Sequence, residues 1–326
     1  FNAIIDFQNN YVKPYLKVQS EELAQMMGSM GAKRGTENLG IDNVPFASKT
    51  YNYTKQLMLA LKVDAIVEEV VAEIEAGRHP VIALESTMES SLDEYKVGGV
   101  VDNPSFGASL LKGLNSVMQY TIKTDKGGQT HGTIIPSELG AEGEAEYYRV
   151  KQFVNDSAKD IFVSPLDAIT SKLNALGYKV GEMTGRKTFL EKNAEGDYVL
   201  RDRSDRDKKR MTRDFNSGKL DVLILNKSAS TGISLHASQK FGDQRQRTMI
   251  IAQPLSDIND YMQMIGRIDR TGQVHRGYYI NLGLPIPAEN RFLMMLSTKL
   301  KSLNANTTTS QDNESSNVDA PDLLNK

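Results

Sequence analysis

Short runs of apolar residues alternate along much of the chain with longer segments whose apolar positions recur every three or four residues. From Tyr53 to Ala76 the positions Leu57, Leu61, Ile66, Val70, Val71 and Ile74 keep helical spacing, with a break near Val63. Gly77 stops that helix, and Pro80 opens the run Val81–Leu84, apolar at every position. A run without alternation predicts a strand covered on both faces, as in a parallel sheet. Similar signals return at Asp160–Val163, Tyr178–Met183, Asp221–Leu225, Thr248–Ala252 and Tyr278–Leu282. Between them the pattern predicts helices from Pro165 to Leu176, from Ser204 to Asn216, from Ser256 to just before Gly272, and from Ala288 to Leu303. Ser164 and Ser204 stand where helix N-caps belong, and Pro165 suits a first turn. Gly196 marks a hairpin turn between Arg186 and Arg203.

Strands and helices taken alternately predict an α/β fold, a parallel sheet flanked by helices and joined by right-handed crossovers. This lobe is expected over 56–303. Residues 97–157 break the alternation with Gly98, Gly99, Gly107, Gly113, Gly127, Gly128, Gly132, Gly140 and Gly143, and read as an insertion. Residues 1–55 are polar and read as a lead-in or interdomain connection, with a methionine-rich helix over Glu21–Met30. Residues 304–326 are rich in Asn, Thr, Ser and Asp and read as a flexible tail.

Composition narrows the chemistry. The 326 residues contain no cysteine, which excludes disulfides and thiolate metal sites, and the four histidines are scattered, so no metal site is expected. No apolar run approaches the roughly 20 residues of a membrane helix, and no secretory leader is visible. The chain opens on Phe1 and reads as a piece of a longer protein, cytoplasmic in a bacterial or phage-infected cell or nuclear in a eukaryote. The net charge of −2 announces no polyanion, but charge is uneven: Lys62–Lys96 holds nine acids against three bases, and Arg186–Arg213 ten bases against six acids.

In parallel α/β sheets, ligands gather beyond the carboxyl ends of the strands. Polar stretches fall there at Glu85-Ser86-Thr87, Ser164, Thr184-Gly185-Arg186 and Ser228–Gly232. Small hydroxyl residues and glycine let backbone N–H groups approach phosphates. The frame Gln263-x-x-Gly266-Arg267-x-x-Arg270-x-Gly272-Gln273 adds two guanidinium forks suited to phosphate, expected about one turn apart on one helix face. Gly127-Gly128 lacks the Lys-Ser/Thr and helix of a phosphate loop, and no such loop occurs elsewhere in the chain.

The order of these pieces resembles the second RecA-like lobe of superfamily-two helicases. Val81–Thr87 resembles the fourth motif of that family. Gly185, Arg206 and Phe215-Asn216 with Gly218 resemble the stretch leading to the fifth, Ser230–Leu235 the fifth itself, and Gln263–Gln273 the sixth. Within the superfamily the chain is most like strawberry-notch-type helicases and related phage and bacterial helicase–methylase proteins. Pro80–Thr87, Ser164–Asp167, Gly181–Arg186 and Gly232–Ala237 carry that likeness. Asp269 departs from the histidine common in relatives, and the excursion at 187–203 is long.

The resemblance implies a P-loop NTPase fold without its own P-loop, serving as half of an ATP-dependent helicase or translocase. Arg267 and Arg270 would be arginine fingers. Thr231, Gly232, Gln263 and Gly266 would face the nucleotide, and Thr87, Ser164, Thr184, Gly185, Arg186 and Ser230 would follow a nucleic-acid backbone. ATP and Mg²⁺ would be held mainly by an N-terminal RecA-like lobe of the same protein. The expected partner is nucleic acid, DNA in preference to RNA, with no membrane. These residues alone are expected not to turn over ATP. The competing readings are a non-catalytic RecA-like scaffold or interaction module and, with less in its favour, a methyltransferase-like α/β domain.

Overall fold

The computed structural model describes residues 1–29, 41–87, 89–92, 95–123, 128–204, 207–227, 232–253, 255 and 257–306. Arg206, Ser230, Thr231 and the expected tail from 307 onward lie outside them. The chain divides into two compact units, Phe1–Lys55 with Asn103–Val163, and Gln56–Asp102 with Ser164–Lys326.

In the first unit, the residues read as a lead-in fold together with most of the insertion. Helix runs from Asn2 to Ser29 through a π turn at Gln8–Val12, and buries Ile4, Phe7, Val12 and Leu16. Phe7 lies 5.9 Å from the ring of Tyr147 on the helix Gly140–Ala158. The ring of Phe46 occupies the space a side chain would need at Gly113, so that glycine is a packing requirement. Ile41–Asp42, Gln119–Lys123 and Gln129–Thr133 form a small antiparallel sheet. The run Asp160–Val163, expected as a strand of the main sheet, belongs to this unit. It makes an isolated bridge from Phe162 to Ser105, and Val163 N–H donates to Pro104 O at 2.8 Å.

The second unit is the α/β lobe. Helix α1 (Val63–Glu75) precedes strand β1 (His79–Leu84), and α2 (Pro165–Ala175) precedes β2 (Val180–Met183). The hairpin β3 (Thr188–Lys192) and β4 (Tyr198–Asp202) turns at Gly196, as its φ of +93° permits. Then follow α3 (Lys208–Asn216), β5 (Val222–Asn226), β6 (Arg247–Ile251), α4 (Ile258–Ile265), β7 (Tyr278–Asn281) and α5 (Pro287–Asn306). Five strands pair in parallel in the order β7-β6-β1-β5-β2. This is the parallel α/β sheet with flanking helices expected of a RecA-like C-terminal lobe.

Every residue of β1, β5 and β6 is buried, because successive side chains serve two cores. Val81, Ala83, Leu223, Leu225, Met249 and Ile251 face Phe215 of α3, Tyr261 and Ile265 of α4, and Leu296 and Leu300 of α5. Ile82, Leu84, Val222, Ile224 and Ile250 face Ile66 and Val70 of α1 and Leu166, Ile169 and Leu173 of α2. Parallel pairing brings the strands' carboxyl ends, and the loops after them, to one edge.

Candidate functional site

Asp257 caps α4, accepting from the amides of Asn259 and Asp260 at 2.8 and 3.2 Å. Tyr261, Met264 and Ile265 bury its inner face, while Gln263 is exposed. The helix ends at Ile265, earlier than the sequence suggested. Arg267 N–H donates to Met264 O at 3.0 Å and Ile268 N–H to Ile265 O at 3.3 Å, tighter turns than an α-helix makes. A continuing helix would need the carbonyls of Gly266 and Arg267 as acceptors, and both are taken. Gly266 O accepts from Arg270 Nε at 3.1 Å, and Arg267 O accepts from Leu235 N–H at 2.9 Å. The Arg270 amide donates instead to Gln273 Oε1 at 2.9 Å. A turn, not a shared helix face, therefore brings the two arginines together.

Their environments differ. Arg267 is 8% exposed; its Nη1 donates to Ile233 O at 3.1 Å, and its buried Nε has no hydrogen-bond partner among the described residues. Arg270 is exposed, and its Nη1 donates to Ser234 Oγ at 2.7 Å. Among the described residues no carboxylate is paired with either guanidinium. Burial, reinforced by the charge of Arg270, lowers the pKa of Arg267. Ser234 follows Gly232, whose φ of +78° requires glycine-like freedom at the start of the turn. The structure thus joins Gly232, Gly266, Arg267 and Arg270, and adds Ser234, which the sequence did not single out.

At the strand ends, the buried Gln253 after β6 accepts the amides of Glu85 and Ser86 after β1, both at 3.1 Å. Thr87 is half-buried and Gly185 exposed at this edge. Ser164, Thr184 and Arg186 are not available there. Arg186, 3% exposed, donates through Nε and Nη2 to both oxygens of Glu182 at 2.8 and 2.7 Å and pairs with Asp167 at 2.6 Å. Thr184 Oγ1 and Arg203 Nη1 also donate to Glu182. Ser164 Oγ donates to Asp167 Oδ2 at 2.6 Å instead of capping α2, and Leu190 N–H donates to the same oxygen at 2.8 Å. Burial opposes these charges, but Asp167 and Glu182 outweigh it and raise the pKa of Arg186. The two arginines likewise hold the buried Glu182 below its usual range. Ser164, Thr184 and Arg186, expected to touch backbone phosphates, are buried here and fix the end of β2 to α2 and the hairpin.

A second buried cluster was not legible beforehand. His79 opens β1 with no exposed surface, stacked on Phe215 at 3.9 Å between ring centres. Its Nε2 lies 2.8 Å from Leu220 O and its Nδ1 2.9 Å from Arg247 Nη1. Since Arg247 only donates, Nδ1 accepts and the proton sits on Nε2. Arg247 also donates to Asp243 Oδ1 at 2.7 Å and to Leu235 O at 2.9 Å. Gly218, at φ +76°, lies where a Cβ would meet Asp243 Oδ2 at 2.9 Å, so both conformation and space demand glycine.

The model of the family described as the C-terminal domain on Strawberry notch homologue matches residues 164–324. Strawberry notch homolog 2 of Mus musculus is 27% identical over 191 residues, covering 53% of this chain and 14% of its own length. Strawberry notch homolog 1 of Homo sapiens is 30% identical over 158 residues, covering 45% of this chain and 11% of its own length. Strawberry notch of Drosophila melanogaster is 31% identical over 132 residues, 39% of this chain and 8% of its own length. The chain thus spans a small part of these relatives. A crystal structure of the C-terminal part of the Fun30 ATPase domain is similar over 43% of this chain and 45% of that one, at 15% identity and a TM-score of 0.25.

Proposed function

From the match of residues 164–324 to the family described as the C-terminal domain on Strawberry notch homologue, we propose that this lobe supplies the arginine fingers of a two-lobed ATP-dependent motor. The carrying observation is the pair of guanidinium groups at Arg267 and Arg270, adjacent and without a carboxylate partner among the described residues. Two neighbouring cations repel each other, and Arg267 Nε is buried without an acceptor. A phosphate would relieve both costs and would be bound in the planar, forked manner that guanidinium favours. The γ-phosphate of ATP, held with Mg²⁺ mainly by a first lobe, fits that need; the charge growing on it during transfer is what the fingers would stabilise.

Nucleic acid, DNA in preference to RNA, would pass along the strand-end edge near Thr87 and Gly185, where exposed backbone can meet phosphates without reading sequence. The second reading, a scaffold without hydrolysis, draws support from Arg267, whose burial and bond to Ile233 O suit a structural role. Arg270 separates the two, because it is exposed and, among the described residues, its guanidinium holds a side-chain hydroxyl and a turn carbonyl. ATP turnover of the two-lobed protein, with and without Arg270→Ala, is the deciding experiment. Unchanged turnover would leave the scaffold.

A further inference from the structure

The small antiparallel sheet of the first unit ends in Gln129–Thr133, its outermost strand beyond Ile41–Asp42 and Gln119–Lys123. Gln129, Thr130, His131 and Thr133 are exposed. The outer strand runs antiparallel to Gln119–Lys123, with His131 opposite Thr121. Just past it Ile134 N–H donates to Met118 O at 2.8 Å, directly across the same register. Hydrogen-bonded and non-hydrogen-bonded pairs alternate along such a ladder. Counting back from Ile134, Gly132 and Thr130 bond to the inner strand, so the N–H and C=O of Thr133, His131 and Gln129 point away from it. The side chains agree: Thr121 Oγ1 lies 3.0 Å from His131 Nδ1, the close approach of a non-hydrogen-bonded pair.

An open edge is a template for another strand, and proteins commonly blunt it with charge, proline or a bulge. The hairpin of the second unit carries Glu191, Lys192, Arg201 and Asp202. Gln129-Thr130-His131-Gly132-Thr133 has no acid, lysine, arginine or proline, and its register with the inner strand runs without a bulge. Its outward groups are also self-complementary. They are spaced evenly on either side of His131, so an antiparallel copy turned about a two-fold axis there meets every N–H with a C=O. Gln129 then faces Thr133 of the copy and His131 faces its own counterpart, with about six hydrogen bonds in all. A shift by two residues either way leaves an outer residue unpaired on each copy.

We propose that this edge joins two copies of the chain, making their small sheets continuous across a two-fold axis at His131. A foreign strand is selected by pockets for its side chains, and a strand exposed on both faces builds none. A second copy needs no pocket, because symmetry sets the register. Such a contact uses the same patch on both partners and closes at the dimer. Five residues make a small interface, so the dimer is weak, in the micromolar range.

The test is sedimentation equilibrium of the whole chain, loaded from about 10 to 300 μM to span a weak interface, beside thermal melts of each variant. Wild type is expected to pass from monomer to dimer. His131→Glu and His131→Lys each set like charges opposite one another at the axis, and each is expected to weaken dimerisation roughly fivefold. An equimolar mixture of the two is expected to recover it as a heterodimer, because unlike charges then meet. The chain has no cysteine, so an introduced one reads the axis directly. In His131→Cys the paired Cα atoms stand about 5.5 Å apart, within reach of a disulfide, whereas in Gln129→Cys they stand about 14 Å apart. Only the first is expected to cross-link under mild oxidation. Phe153→Ser, at a position 54% exposed on the helix Gly140–Ala158, is expected to leave association unchanged. A wild type that stays monomeric throughout would overturn the proposal. So would a mixture of the two charge variants no more dimeric than either alone, or cross-linking as fast in Gln129→Cys. A dimer abolished by Phe153→Ser and kept by His131→Glu would move the contact to that helix and overturn it too.

Discussion

The backbone of Leu235 is held from both sides: its amide donates to Arg267 O at 2.9 Å and its carbonyl accepts from Arg247 Nε at 2.9 Å. One residue thereby ties the glycine–serine turn after β5 to the arginine turn after α4 and to the start of β6. Ser234 beside it touches Arg270. A shift of this turn cannot leave the arginines in place, so the segment after Gly232 and the arginine pair form one mechanical piece.

The two arginines should respond differently to removal. In the protein containing both lobes, Arg270→Ala is expected to lower turnover by about 10³–10⁵ while shifting stability by under about 0.5 kcal/mol, as for exposed positions. Arg267→Ala should lower turnover and also cost about 1–3 kcal/mol, because Ile233 O loses its buried donor. Arg270→Lys should restore little, since an ammonium lacks the fork. Steady-state ATPase rates beside melts check all three, and normal turnover in Arg270→Ala ends the finger assignment.

Arg186 is expected to matter for stability instead of binding. Arg186→Ala leaves Glu182 and Asp167 buried with one cation fewer, a change costing about 3–5 kcal/mol for a broken buried pair. Oligonucleotide affinity should hold at temperatures where the variant remains folded. A variant that melts like wild type but loses affinity would return Arg186 to the ligand edge.

The contrast between these arginines shows what the chain reveals by itself. Apolar runs disclosed β1, β5, β6 and β7 to within a residue or two; in β1, β5 and β6 burial on both faces fills most positions with apolar side chains, while β7 is a half-buried edge strand. The motif order disclosed the arginine pair and its glycine turn. Ser164, Thr184 and Arg186 read as ligand contacts because polar residues follow strands there, and their burial was not foreseen. Their partners Asp167, Glu182 and Arg203 are joined by tertiary contacts that no periodicity encodes. Arg247 was missed for a related reason: within Gln244-Arg245-Gln246-Arg247 it reads as surface, and its bonds to Asp243, Leu235 and His79 make its burial tolerable. Helix α4 stopped early because, just beyond it, the Gly266 carbonyl accepts from the Arg270 side chain and the Arg267 carbonyl from Leu235, a residue distant in sequence. The cap of α3 is Asp207 and not Ser204, a shift of three positions within one polar run.

Lys62 and Glu289 form a buried pair that should show strong coupling. Lys62 Nζ donates to Glu289, to Ala252 O beyond β6, and to Leu282 O beyond β7 at 3.0 Å. Glu289 also accepts Leu284 N–H at 2.7 Å. Burial lowers the Lys62 pKa and Glu289 opposes that shift. Lys62→Met alone should cost about 3–5 kcal/mol by stranding the carboxylate. Adding Glu289→Gln should recover part of it, since a neutral amide needs no counter-charge. Denaturant midpoints for the two singles and the double measure this, and strict additivity would refute the coupling.

The last expectation concerns acid. Burial is the largest influence on His79 and lowers its pKa; Arg247 and Arg245 push the same way, and Asp243 opposes them. The folded state therefore binds this proton less readily than the unfolded chain, whose histidine titrates near 6.5. Stability from the neutral ring is complete above that value and is lost as pH falls from about 6.5 toward the lower folded pKa, with a slope of about 1.4 kcal/mol per pH unit for one proton. Asp243 adds a separate effect at lower pH. Burial would raise its pKa, but His79, Arg245 and Arg247 hold it well below the usual carboxylate range, so its contribution disappears only under stronger acid. Protonating His79 would also set a second donor against Arg247 Nη1 and break the 2.9 Å contact. His79→Gln cannot take up that proton, so its stability, lower at neutral pH, should vary less between pH 6.5 and 5. Urea midpoints for both proteins across that interval decide the matter, and parallel profiles would show that His79 does not carry the acid sensitivity.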